Sequence, residues 1–375
     1  MKLFGYVVIN IAETLLRFLP FPCKTGLRVI GSPDKNSPVF LTCNYHLTVE
    51  RVKRALKGMN AYLLVANSRG INVWCASVGG HFTVHDVISV LRTSGIEQLV
   101  NHKKVILPQL AAPGVETTVI TKKTGWHIIW GPVYARDIPH FVKNNLKKDQ
   151  KMREVEFPSK QRIEMAVAWA FPISLISGIL VLLFVPEILL PLVILVWGLA
   201  FALFIFFPIY SSWLAPDRGS TGLMFMLWGI SISALLVYSI ATANFSWKFF
   251  IQWSVISFIV IFILSVDLNG SIPVLKSGFI EEKQFKVMID ESRCKGAGLC
   301  VYVCPRNCFR CDRLKKVPVL VNQERCIHCG ACIVQCPFDA LFFESPEGGR
   351  IGPETVRKFK LNLLGKRLSK KVRYS

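Results

Sequence analysis

The sequence predicts a multidomain chain: an N-terminal α/β domain, four membrane-spanning helices, and a small C-terminal α+β domain organised by cysteines. Three observations predict it. Hydrophobic residues make up 52% of the 375 positions, with a mean hydropathy of +0.42, too high for a wholly soluble chain of two or three domains. Short apolar runs alternate with helical patterns between Ser37 and Asn145. Nine of the twelve cysteines fall between Cys294 and Cys336.

The elements follow in chain order. Met1 to Phe21 is apolar but interrupted by Glu13 and Arg17, has no small-residue cleavage site, and reads as an interfacial amphipathic helix rather than a signal peptide. Val39–Thr42, Ala61–Ala66, Lys104–Leu107 and Trp126–Trp130 read as strands. Thr48–Lys57, Thr83–Leu91 and Asp137–Leu146 read as helices, Thr83 and Asp86 forming a capping box. This alternation predicts a largely parallel sheet with its ligand beyond the strand ends. Neither GxGxxG nor GxxxxGK is present, which removes the motif basis for a dinucleotide or P-loop site.

The hydrophobic excess lies in the middle of the chain. Met165–Val185, Ile188–Tyr210, Thr221–Ala243 and Phe249–Val266 are each about long enough to cross a bilayer. Pro186-Glu187 makes the first turn, and Trp213 and Trp247 take interfacial positions. Glu187 and Asp267 sit at membrane boundaries, as solvated ends rather than a proton path. Lys143, Lys147, Lys148, Lys151, Arg153, Lys160 and Arg162 precede the first span and mark that side as cytoplasmic. An even number of spans returns the chain to the same side, so a multi-pass protein of the cell membrane with both terminal domains in the reducing cytoplasm is expected. The net charge of +21 owes much to Arg357, Lys358, Lys360, Lys366, Arg367, Lys370, Lys371 and Arg373, interleaved with Phe359, Leu361, Leu363, Leu364 and Leu368. That pattern suits anionic lipid, and without an accompanying nucleic-acid fold no nucleic-acid partner is expected.

The cysteine spacing carries chemistry. Cys326-x2-Cys329-x2-Cys332-x3-Cys336-Pro337 is the spacing of a bacterial-type iron–sulfur ferredoxin, in which the fourth cysteine ligates the other cluster of a pair. A zinc knuckle would instead show two separated pairs. Upstream, Cys294, Cys300 and Cys304-Pro305 take the first, third and fourth positions while Ala297 replaces the second. Cross-wiring then assigns Cys304, Cys326, Cys329 and Cys332 to one 4Fe-4S cluster. Cys294, Cys300 and Cys336 remain for a 3Fe-4S cluster or an incompletely ligated 4Fe-4S cluster. Cys308 and Cys311 are either loop hydrophobes or substitutes for the missing ligand. His81 and His85 lie four apart but lack a third ligand and read as surface or cap residues; Cys23 and Cys43 carry no motif.

Three segments add a resemblance: Gly70-Ile71-Asn72-Val73-Trp74-Cys75-Ala76, Ile106-Leu107-Pro108-Gln109-Leu110-Ala111-Ala112-Pro113-Gly114-Val115, and Gly131-Pro132-Val133-Tyr134-Ala135-Arg136-Asp137-Ile138-Pro139. Together they resemble the corrinoid-binding domain of the corrinoid iron–sulfur protein family, and within it the mercury-methylating corrinoid proteins, which join a cap helix of this type to a membrane domain and work with a separate two-cluster ferredoxin. Here all three parts look fused, from about Leu27 to Leu341. The resemblance implies a Rossmann-like corrinoid-binding domain at residues 1–160 including the amphipathic segment, a transmembrane domain at 161–268, a linker at 269–283, a ferredoxin domain at 284–346 and a basic tail at 347–375.

The same resemblance implies a cobamide cofactor held by Asn72, Val73, Trp74, Cys75 and Ala76. Cys75 is then the catalytic residue, a thiolate beneath cobalt, and a soft donor suits such tuning. The implied activity is that of a membrane-anchored corrinoid-dependent methyltransferase whose cobalt is re-reduced by the fused ferredoxin. Its implied partners are membrane lipid, a methyl-donor protein or methylated pterin or folate system, and an external electron donor, with mercury(II) or another metal or metalloid as acceptor. Two departures stand out. Ser77-Val78-Gly79-Gly80-His81 follows the cap motif where the family has small residues and a lysine, and no cysteine follows Cys336 where the family's ferredoxin ends in a cysteine pair. Two alternatives are a membrane-bound iron–sulfur electron-transfer subunit without corrinoid catalysis and a non-catalytic cobamide carrier.

Overall fold

A computed structural model describes residues 3–17, 19–211, 221–241, 246–268, 285–312 and 317–359. The expected linker at 269–283, Trp213 and the tail beyond Phe359 lie outside the described residues. The chain forms two compact units, one made of Met1–Leu19 with Glu156–Lys283 and the other of Pro20–Val155 with Gln284–Ser375.

The helical unit contains α1 (Leu3–Leu15). In the second unit, β1 (Gly26–Ile30), β2 (Val39–Cys43), β3 (Ala61–Ala66), β4 (Lys104–Pro108) and β5 (His127–Gly131) form a five-stranded sheet in the order β1-β3-β2-β4-β5. Pairings among β3, β2, β4 and β5 are parallel; β1, absent from the sequence expectation, runs antiparallel on the edge. The reason it escapes a pattern reading is its length and half-exposed face, which leave no apolar run.

Helices α2 (His46–Ala55), α3 (Val73–Val78), α4 (Val84–Thr93), α5 (Ile96–Leu99), α6 (Thr117–Thr124), α7 (Ile138–Lys143) and α8 (Gln150–Arg153) complete the α/β part. Val49 and Val52 of α2, Ile138 and Phe141 of α7, and Met152 of α8 pack with Phe40, Leu63, Val65 and Ile106 in one core. Those strand residues share a face, because side chains alternate along a strand. Helix α4 packs on β3, and α6 on β5. The predicted capping box of α4 is present: Asp86 Oδ2 accepts from the Thr83 amide and hydroxyl, both at 2.8 Å. The strand order reverses between β2 and β4, so the crevice beyond Cys43 and Pro108 is where such a sheet places a ligand.

In the helical unit, α9 (Ser159–Phe184), α10 (Leu189–Ile205), the short α11 (Phe207–Tyr210), α12 (Thr221–Ala241) and α13 (Trp247–Leu268) follow. Among the described residues, four helices are long and apolar enough to cross a membrane. The first starts at Ser159, six residues before the expected Met165, so Lys160 and Arg162 belong to its opening turn. Hydropathy marks where hydrocarbon could begin, whereas backbone hydrogen bonding begins earlier, after Pro158. Pro186–Ile188 forms a 3-10 turn at the expected hairpin. Ala166, Ala170, Val196 and Ala200 are fully buried between helices, small enough for close approach. Ile176, Leu183, Ile194 and Ile240 are exposed, which is compatible with lipid contact.

The remaining elements are β6 (Lys286–Ile289), α14 (Leu299–Val303), β7 (Phe309–Cys311), β8 (Pro318–Leu320), α15 (Ala331–Val334), β9 (Leu341–Glu344), β10 (Arg350–Ile351) and α16 (Pro353–Phe359). Strands β10, β9 and β6 form one antiparallel sheet, and β7 and β8 a hairpin. Phe285, Val287, Phe343, Ile351 and Val356 close the core beneath the cysteines.

Candidate functional site

Cys75 lies on α3, a six-residue helix whose placement is set by the end of β2. Asn44, 5% exposed, accepts at Oδ1 from the amides of Ser68 and Gly70 at 2.8 and 3.0 Å, while the Ser68 hydroxyl sits between Asn44 Oδ1 and the Ile71 carbonyl. Gly70 has φ +71, and a Cβ there would come within 2.6 Å of the Pro22 nitrogen. The chain thus enters α3 through a fixed turn. Asn72 caps the helix, its Oδ1 accepting from the Cys75 amide at 3.0 Å and its Nδ2 donating to Cys75 Sγ at 3.4 Å.

Cys75 is exposed, while Val73 and Ala76 are buried and anchor the helix to the core; Trp74 is half-buried. The sulfur is presented outward beyond the carboxyl ends of the strands and oriented by one amide. Two positions on, the Ser77 hydroxyl is buried with no hydrogen-bond partner among the described residues. Ser77 lies about 200° around the helix from Cys75 and faces the core, so the fit to a metal-centred cofactor rests on the accessible soft donor of Cys75 alone. His81 and His85 gain no third ligand, since no group of three His, Cys, Asp or Glu among the described residues forms a single-ion site.

The second site is built of sulfurs. Cys304, Cys308, Cys326, Cys329 and Cys332 line one small cavity of about 20 Å³. Five sulfurs spread around a hollow suit a polynuclear cluster better than one ion. Hydrogen bonds from the Cys308 side chain and from the amides of Cys308, Arg306 and Asn307 outweigh burial and bring the Cys304 thiol down to about 7. Burial pushes Cys329 and Cys332 upward, with neighbouring thiols adding to it. Such thiols release their protons to bound metal. Cys300 is pushed up to about 12 by burial and then by Cys336 and Cys294, which places these three together.

Cys308 therefore does not complete the Ala297 site. The turn at Asn307, with φ +53, directs it back to Cys304 and Cys326. Cys311 is exposed at the end of β7, and Ala297 is exposed as well.

The two sites share one unit. Gln109, at the end of β4 and 1% exposed, donates to the carbonyls of Arg153 and Val303 at 3.0 and 3.1 Å. Lys148 Nζ donates to Gln109 Oε1 and lies 4.0 Å from the centre of the Tyr302 ring. Arg153 donates to the Val301 carbonyl at 3.3 Å, and the Val155 amide to the Pro305 carbonyl at 2.8 Å. Lys148 and Arg153, expected to flank the membrane, are thus engaged with the cysteine domain. Arg357, expected in a lipid-facing tail, pairs with Asp339 at 2.7 Å and Glu116 at 3.7 Å, because α16 folds back on α15. Asn44, Gln109 and Lys148 are site residues that pattern reading missed; their one available signal is position, since Asn44 and Gln109 each follow a strand at its carboxyl end.

This combination, a parallel-sheet domain presenting an outward thiol beside a cysteine-rich cluster domain, defines a class that the comparisons narrow. Residues 18–142 match the family model of the CO dehydrogenase/acetyl-CoA synthase delta subunit, and residues 319–342 match that of the 4Fe-4S binding domain. The N-terminal region is similar to the acetyl-CoA decarbonylase/synthase complex subunit gamma of Archaeoglobus fulgidus, at 34% identity over 128 residues, covering 34% of this chain and 27% of the relative. The subunit gamma of Methanothermobacter thermautotrophicus is 37% identical over 119 residues, 31% of this chain and 26% of that protein. The corrinoid/iron-sulfur protein large subunit of Moorella thermoacetica is 29% identical over 130 residues, 34% of this chain and 29% of that protein. The chain spans about a quarter of the length of the first two relatives. The matches support the corrinoid iron–sulfur family and do not single out its mercury-methylating members.

Proposed function

We propose that the chain is a membrane-anchored corrinoid methyl carrier with its own electron-transfer module. The observation that carries this reading is the outward Cys75 sulfur, held by Asn72 on a helix at the carboxyl edge of the sheet, in a region similar to a corrinoid/iron-sulfur protein large subunit. When bound, a cobamide supplies a cobalt centre that carries a methyl group and cycles between oxidation states. Cys75 would supply a thiolate donor to that centre, and the Asn72 amide holds the sulfur in place. Trp74, Val73 and Ala76 shape and anchor the helix.

Cys304, Cys326, Cys329 and Cys332 hold one 4Fe-4S cluster, while Cys294, Cys300 and Cys336 hold a three-ligand cluster. The clusters would supply one-electron transfer, and these residues would hold them. The acceptor of the methyl group is a soft metal or metalloid ion, mercury(II) among them, and the donor a methylated pterin or folate system with its protein. The subunit-gamma relatives belong by name to a multi-subunit complex, which supports a protein partner as well.

The α/β and cysteine domains precede and follow four apolar helices yet share one compact unit, which supports an even number of crossings and one side for both, the cytoplasmic side by the positive flank. Full-length protein purified anaerobically in detergent and loaded with a cobamide should show cobalt absorbance bands that change in Cys75→Ala. A protein that takes up iron but no cobamide would refute the reading and leave the electron-transfer subunit.

A further inference from the structure

Gln335 precedes Cys336 at the end of α15 and is 2% exposed. Its Nε2 donates to the carbonyls of Ala112 and Val115 at 2.7 and 2.6 Å. Its Oε1 accepts from the Thr117 hydroxyl at 3.0 Å and from the Thr117 amide at 3.4 Å. Every partner of this amide belongs to the loop between β4 and α6 or to the first residue of α6, more than 200 residues earlier in the chain. The same loop begins at Gln109, which is bound to Val303 at the end of α14. The loop is therefore gripped at both ends by the two short helices that carry Cys300, Cys332 and their neighbours.

Its other face meets α3. A Cβ at Gly114 would strike the Phe82 carbonyl and lie 2.9 Å from the Ser77 carbonyl and 3.0 Å from Ser77 Cα, so only glycine permits this approach. Ser77 is two residues from Cys75. A path of covalent bonds and hydrogen bonds thus runs from Cys336 through Gln335 into the loop, and a close packing contact of Gly114 on Ser77 carries it to the helix that presents the Cys75 sulfur.

We infer that Gln335 is a positioning residue for electron transfer, a latch that keeps the cysteine domain docked on the Gln109–Thr117 loop and so fixes the distance from the clusters to the Cys75 helix. The amide is committed to this dock, because it is buried and both its donor and acceptor atoms are paired to the segment that would withdraw. One electron leaves a reduced cluster, which is oxidised, and enters the acceptor metal, which is reduced by that one electron. Only the identity of that acceptor rests on the corrinoid reading.

The test uses the full chain in detergent with reconstituted clusters. Gln335→Leu should speed amide exchange across Ala112–Thr117 at least about tenfold, with iron content and cluster electron paramagnetic resonance unchanged. With hydroxocobalamin as probe, cobalt reduction by pre-reduced clusters should slow by about tenfold or more, and Gln335→Asn should fall between. Exchange and reduction rates both equal to those of the parent overturn the latch. If the parent takes up no cobalamin, the exchange data still decide the latch, and the corrinoid reading alone fails. If Gln335→Leu loses its iron, Thr117→Val removes one bond from the other side, and unchanged exchange there overturns the latch.

Discussion

Asn44→Ala should loosen the Cys75 helix more than any change on the helix itself. The side chain lies at the end of β2 and accepts from the amides of Ser68 and Gly70, both at 3.0 Å or less. Ser68 is fully buried, so alanine leaves at least one amide without solvent and a second with little. A stranded buried donor costs about 1–3 kcal/mol, which puts the loss at roughly 3–4 kcal/mol for the pair. Each 1.4 kcal/mol is a factor of ten, so amide protection over residues 68–78 should fall by about 100-fold or more, provided the segment opens locally before global unfolding. Native-state hydrogen exchange on the full chain reads this directly. Asn44→Asp keeps the acceptor oxygen and should retain most of the protection. A loss below about tenfold in Asn44→Ala would show that the turn is held by something other than these bonds, and the account of how Cys75 is presented would fail.

Other expectations follow from the same structure. Burial first, and Arg153 second, bring the Lys148 amine from 10.5 down to about 6; the undocked or unfolded chain therefore binds more protons between those values. Stability should rise with pH from about 6 upward, by less than the one-proton limit of about 1.4 kcal/mol per pH unit because the amine is only partly covered, and Lys148→Met should flatten that slope in urea titrations at several pH values. Cys294→Ala should remove one cluster signal, about three or four irons per chain, and leave the Cys304 cluster intact, whereas loss of both would contradict the grouping. Cys308→Ala withdraws the largest hydrogen bond to the Cys304 sulfur and should shift that cluster's reduction potential to more negative values with iron retained; an unchanged potential in protein-film voltammetry would place Cys308 outside its influence. Asn72→Ala should cost about 1 kcal/mol of local helix stability and alter the alkylation rate of Cys75 by iodoacetamide.

Much of the fold was legible because its signals are local. Strands β2 and β3 and the capping box of α4 follow from alternation and from one Thr–Asp pair. The four apolar helices follow from length and composition. The iron–sulfur motif is legible because ligands spaced by two residues converge on one metal group whatever surrounds them. Cys75 itself was legible only through a resemblance, because one cysteine has no spacing to read.

By itself the sequence determined the order of the parts and the residue types at each site: an α/β region, apolar helices, and cysteines at cluster spacing, each a property of neighbours along the chain. Tertiary structure alone decided which cluster Cys308 faces, why Asn44 governs a helix nearly thirty residues away, and that Arg357 and Lys148 serve contacts within the folded unit. The physical reason is that a single polar side chain has no period to read. Its partner is chosen by the way distant segments close on one another, as Gln335 and the Ala112–Thr117 loop do across more than 200 residues.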